Sequence, residues 1–163
     1  MKNNTRGLVR SAIIAALYTV LTMISAAFGL SSGIVQVRLS EALCVLPCFT
    51  SSAAAGLAAG CFLSNMIAGG EPVDMIFGSL ATLAAALITG RIGKNRLLAS
   101  LPAILINSAV IPFVLIKAYG IEASYLILAA SVFAGELVSC GLLGQLLYSR
   151  IESDERLKEM ISD

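Results

Sequence analysis

Between Ile34 and Pro47 the chain reads IVQVRLSEALCVLP. Gln36, Arg38, Ser40 and Glu41 crowd together in a stretch flanked by long apolar runs. An arginine and a glutamate three apart share one face of a helix. Two chemistries follow from that spacing. The pair can cancel its charges in a mutual ion pair, or one member can face a ligand while the other tunes it. Gln36 stands on the same rim. Glu136, in FAGELVSCG, is a second candidate, and only Arg38 offers it a cation at similar depth. It is either a neutral, hydrogen-bonded packing group or a carboxylate that handles a ligand or a proton. Asn107, in ILINSAVIP, needs a partner wherever water is excluded. Pro112 follows five residues later and can kink that helix, freeing a carbonyl. Asn65 and Asp74 complete the polar set, and Asp74, in VDMIFGS, stands where an N-cap belongs.

None of this is bond-breaking chemistry. The chain has no His, no HExxH or GxSxG pattern and no G-x-x-x-x-G-K-[ST] loop. No catalytic residue, cofactor or metal site is expected, and the chain is not expected to be an enzyme. Cys44, Cys48, Cys61 and Cys140 form no CxxC pair and lie in apolar surroundings, as small buried hydrophobes do. The net charge of +1 and the lack of a basic patch argue against a nucleic-acid partner.

The elements that position these residues are set by composition. The 163 residues are 58% hydrophobic and 13% charged, with a mean hydropathy of +0.90. A soluble domain has roughly 45–50% apolar and about 25% charged residues. The chain therefore reads as one all-α integral membrane domain. An ionisable side chain at the centre of a span costs about 2.5–3.5 kcal/mol on insertion scales and usually marks function. MKNNTRGLVR precedes an apolar run too long for a cleaved leader, so a retained first span is expected.

Charge-free runs mark the crossings. The run from Ala42 to Gly70 is 29 residues long, whereas one helix needs about 20 to cross. Basic residues favour the cytoplasmic side. Placing both the N-terminus and the RIGKNR loop (Arg91 to Arg96) there requires four crossings before Arg91. The 29-residue run must then hold two helices, with a turn near Pro47 to Ser52 and Ser51 or Ser52 as N-cap. The first borrows Arg38 and Glu41 for its length. The expected spans are 8–29, 36–50, 52–69, 74–90, 97–117 and 123–149, a six-transmembrane-helix bundle with both termini cytoplasmic. The charged tail reads as a short helical extension. Small residues recur every four positions at Ser52, Gly56, Gly60 and Ser64, and at Ser131, Gly135 and Ser139, as close-packing stripes. Ala12 and Ala16 form a shorter one on the first span.

VQVRLSEALCVLP, DMIFGSLATLAAALIT and GELVSCGLLG carry a resemblance. The chain resembles the substrate-binding (S) components of energy-coupling factor vitamin transporters, and more closely the QueT family of queuosine-precursor transporters, from about Ser11 to Tyr148. The resemblance implies a subunit that binds a 7-deazaguanine precursor of a modified tRNA base from outside. It implies partners: a transmembrane coupling protein, docked at Ala12 and Ala16, and two cytoplasmic ATPases. It places the ligand near the outer face, under the segment from Leu30 to Val37. A carboxylate, Glu41 or Glu136, would accept the donor edge of such a base, as acidic side chains do with amino edges. Gln36 or Asn107 suits its carbonyl. Phe77 or Tyr125 offers a ring to stack on it. Asn65 lines the same outer half, and Asp74 would face the amine of a cationic 7-aminomethyl compound. Arg38 would hold Glu41 ionised and oriented. Two other classes compete: a stand-alone proton-coupled carrier with Glu136 as the proton site, and a membrane partner subunit whose polar residues only specify packing. An S component for a different vitamin is a further alternative.

Overall fold

The structure is a computed structural model that describes residues 2–30, 36–92 and 95–162. Residues 31–35, which make up most of the expected cover over the ligand, lie outside the described residues, as do 93 and 94 of the basic loop. Among the described residues every regular element is helical: α1 (Lys2–Ala27), a 3-10 helix (Leu39–Cys48), α2 (Ser52–Ile67), α3 (Pro72–Ile92), α4 (Leu101–Tyr119), α5 (Tyr125–Glu136), a π-helical stretch (Leu137–Gly144), α6 (Gln145–Ser153) and α7 (Glu155–Ile161). The last long helix runs unbroken from Tyr125 to Ser153. Four helices are long and apolar enough to cross a membrane: Thr5–Ala27, Pro72–Ile92, Leu101–Tyr119 and Tyr125–Ser153. Leu39–Cys48 and Ser52–Ile67 are apolar but shorter.

The 29-residue run does hold two helices, and the first differs from the expectation of an ordinary membrane helix over 36–50. Residues 36–38 lie outside any helix and lead in with an extended Arg38, and the helix over Leu39–Cys48 is of the 3-10 type. A 3-10 helix rises about 2.0 Å per residue, so its ten residues reach about 20 Å where an α-helix would reach about 15 Å. The tighter winding supplies length that the short segment lacks. Its burial explains why it tolerates the poorer geometry: Ser40, Glu41 and Leu43 to Cys48 are all buried. Leu43 and Leu46 pack with Ile14, Tyr18 and Leu57 on one side. Cys44, Val45 and Cys48 pack with Ala103, Ile104 and Cys140 on the other. The 3-10 helix is thus the axis around which the longer helices stand.

Helix α2 seats on α1 through its small residues. A methyl group at Gly56 would come within 2.7 Å of the Ser11 carbonyl oxygen, and one at Gly60 within 2.7 Å of Tyr18 Cβ. The Ser11 hydroxyl donates to the Ser52 carbonyl at 2.7 Å. Only glycine permits this approach. Helices α1 and α2 end on left-handed glycines, Gly29 (φ 69°) and Gly69 (φ 72°). The next N–H in each case folds back to close the terminus, Leu30 on Ser25 (2.9 Å) and Gly70 on Asn65 (2.8 Å). The tail helix α7 is capped by Asp154, which accepts the N–H groups of Arg156 and Leu157.

Candidate functional site

One small polar cavity lies between the extended segment 36–38 with the first turn of the 3-10 helix, the middle of α4, and the α5 end that passes into the π stretch, with α2 and α3 closing it. The small stripe on α5 seats the extended segment. The Gln36 carbonyl oxygen lies directly over Gly135, in the space a side chain there would fill. One turn on, the Ser139 hydroxyl accepts the Arg38 N–H at 3.1 Å. The Ser25 hydroxyl of α1 accepts the Leu39 N–H at 2.8 Å.

Glu41 is buried, and its N–H closes on the Arg38 carbonyl at 3.1 Å. The two side chains therefore leave the backbone one 3-10 turn apart, on the same side. They form no direct ion pair among the described residues. Glu41 Oε1 instead accepts the hydroxyl of Tyr18, a side chain only 1% exposed. The group that bonds Glu41 here is thus the Tyr18 hydroxyl rather than the Arg38 guanidinium. Glu136 Oε1 accepts from Asn107 Nδ2 at 2.8 Å and its Oε2 from Cys140 Sγ at 2.9 Å. Cys140 Sγ also stands 3.3 Å from the Glu41 carbonyl oxygen. Glu41, Glu136 and Cys140 each offer a ligand atom within 4.8 Å of the others. These are groups able to hold a cation, yet here Glu136 and Cys140 are bonded to each other and Glu41 to Tyr18.

The cavity is walled by Gln36, Arg38, Glu41, Asn107 and Glu136, with Cys61, Gly78, Thr82, Ile111, Val132 and Ser139 completing it. Its volume is about 30 Å³, enough for about two water molecules at 10–15 Å³ each.

Five of the eight expected binding residues thus meet in one place. Asn65 and Asp74 are buried just behind it. A methyl group on Gly78 would sit 3.3 Å from Asp74 Oδ1 and 3.4 Å from Asn65 Nδ2. Asp74 lies inside the first turn of α3 rather than at its N-cap. Its Oδ2 accepts the Tyr119 hydroxyl at 3.0 Å, and that hydroxyl oxygen accepts the Glu71 N–H at 3.2 Å. This cluster ties α3 to α4. Phe77 is 46% exposed on the outside of the bundle and does not line the cavity. Tyr125 donates to the Ala109 carbonyl at 2.7 Å, also outside it. Ala12 and Ala16 are on the exposed side of α1.

Tyr18, Thr82 and the hydrogen-bonding roles of Ser139 and Cys140 escape the sequence reading. A signal existed for the first. Tyr18, Thr22 and Ser25 repeat at helical spacing in an otherwise apolar span, and a buried tyrosine hydroxyl needs a partner.

The comparisons agree on one family. A family model described as QueT transporter matches residues 8–153. A curated protein of Lactococcus lactis subsp. cremoris, "Queuosine precursor transporter QueT", is 38% identical over 82 residues, covering 50% of this chain and 48% of that protein. The chain spans about half the length of the curated relative it matches. No solved structure gives a significant match.

Proposed function

This chain belongs to the QueT transporter family, and on that premise we propose that it is a membrane subunit that binds a 7-deazaguanine precursor of queuosine from outside the cell. It is a transport protein with several membrane-crossing helices in the cell membrane. The observation that carries the substrate reading is the Arg38–Glu41 pair. Opposite charges stand one turn apart on the same wall of a buried cavity and leave each other unpaired. A guanine-like edge presents N–H donors beside a carbonyl acceptor. Glu41 suits the donors, Arg38 the carbonyl, and Glu136 with Asn107 forms the facing wall. The pocket has to widen to admit the ring.

In this proposal the chain crosses the membrane six times, the 3-10 helix and α2 counting as the second and third crossings. Both termini are cytoplasmic. Arg6, Arg10, Arg91, Arg96, Arg150 and Arg156 lie toward the end of the bundle opposite Arg38 and Lys117, by the order and direction of the helices. That asymmetry supports the orientation. Transport is driven by an energy-coupling factor module, a transmembrane coupling protein with two ATPases, docked on the exposed Ala12 and Ala16 of α1.

Thermal unfolding of the detergent-purified chain tests the substrate. A ligand that binds only the folded state at 100 times its Kd stabilises by about 2.7 kcal/mol. A 7-cyano- or 7-aminomethyl-7-deazaguanine is expected to raise the melting temperature, and Glu136→Gln to remove the shift. A rise with riboflavin or thiamine alone would sink the substrate assignment.

A further inference from the structure

α1 meets the start of the 3-10 helix in three consecutive steps. Ser25 accepts the Leu39 N–H at 2.8 Å, the Thr22 hydroxyl stands 2.8 Å from that of Ser40, and Tyr18 donates to Glu41 Oε1. Residues 18, 22 and 25 are one stripe of α1. The first two contacts hold a backbone group and a side chain that does not line the cavity. The third holds a side chain that does.

Tyr18 is fully buried and does not itself line the polar cavity. Its hydroxyl bears on the cavity through Glu41. Without its hydroxyl, Glu41 has an obvious alternative partner in Arg38, one turn away on the same side and of opposite charge. With the hydroxyl in place, Glu41 Oε1 is occupied by Tyr18 and not by Arg38.

Resting on the binding reading above, we propose that Tyr18 is a positioning residue that sets the specificity of the site. It holds Glu41 off Arg38. The carboxylate then reads an amine-bearing edge, and the guanidinium reads a carbonyl. In the absence of Tyr18 the two charges satisfy each other and the pocket loses its preference for the amine.

The test is the ratio of Kd values for 7-deazaguanine and 7-deazahypoxanthine, which lacks the 2-amino group, in wild type and Tyr18→Phe, with melting temperatures taken separately without ligand. Wild type is expected to favour the amine-bearing compound by at least about tenfold, the worth of a hydrogen bond to a charged group. Tyr18→Phe should bring the ratio close to one. Thr22→Val should lower the melting temperature and leave the ratio intact, which separates positioning from simple structural support. A wild type that discriminates and a Tyr18→Phe that discriminates equally well overturns the role of Tyr18 alone. A wild type that binds neither compound, or both equally, overturns the reading of the site and this inference with it. Should Tyr18→Phe not fold, 3-fluorotyrosine at position 18 keeps the shape and alters the donor. A changed ratio supports the proposal, and an unchanged one overturns it.

Discussion

Arg38→Ala is expected to weaken ligand binding by about ten- to a hundredfold, and Glu41→Gln by a similar factor, with folding retained in both. A hydrogen bond to a charged group is worth about 1.5–3 kcal/mol, which is that range. Folding survives because the contacts that fix this segment are elsewhere. The Arg38 N–H stays on Ser139 whatever its side chain. A glutamine at 41 has the size of glutamate and can still accept from Tyr18, but it turns an amide N–H toward the ligand's own donors. A structural ion pair predicts the opposite pattern. Removing one partner of a buried pair costs about 3–5 kcal/mol of stability and need not touch affinity. Calorimetric titration and thermal unfolding on the same samples separate the two. Large losses of stability with an unchanged Kd would make the pair structural.

Gly135→Ala should do more damage than its single methyl group suggests. The added carbon would overlap the Gln36 carbonyl oxygen and approach the Gln36 carbonyl carbon to 2.9 Å. These are backbone atoms, so no rotamer change relieves the clash. The extended segment has to lift from α5, taking Arg38 out of the cavity wall and straining its bond to Ser139. Overpacking of this kind costs about 1–3 kcal/mol, and ligand binding should fall at least as far as in Arg38→Ala. Gly141→Ala is the control on the same continuous helix. Its methyl group would meet only the Leu137 and Ile104 side chains, at 3.7 and 3.8 Å, and should be tolerated. If Gly135→Ala melts and binds as the wild type does, the segment is not seated where it is described.

Much of this was visible in residue patterns. Charge-free runs locate the long helices, and the polar residues within and beside those runs include five that line the cavity. Gln36, Arg38, Glu41, Asn107 and Glu136 stand out because a polar group among apolar ones must face inward. Helix type was not visible. The segment Leu39–Cys48 is buried almost all round, so no polar face marks whether it repeats every 3.0 or 3.6 residues. LVSCGLLG is equally uniform and gives no sign of its π winding. Phe77 misleads for a reason particular to lipid. On α3 the buried residues are small or polar, Asp74, Gly78, Ala81, Thr82, Ala85, Ala86 and Thr89, and the large apolar ones face out, as bundles in membranes allow. An aromatic ring is then no mark of an interior. Tyr18 is the reverse case, a ring turned inward by its hydroxyl.

All four cysteines are free and buried. Two of them bear on the cavity, Cys61 in its wall and Cys140 bonded to Glu136, whereas Cys48 lies at the far end of the 3-10 helix, near the Thr89 carbonyl. The thiolate is the form that reacts, and a thiol shut away from solvent is inert. A maleimide added to the folded chain therefore meets a thiol only while the helices are parted. The chain carries its own internal clock, and the position that tags first names the seam that opens.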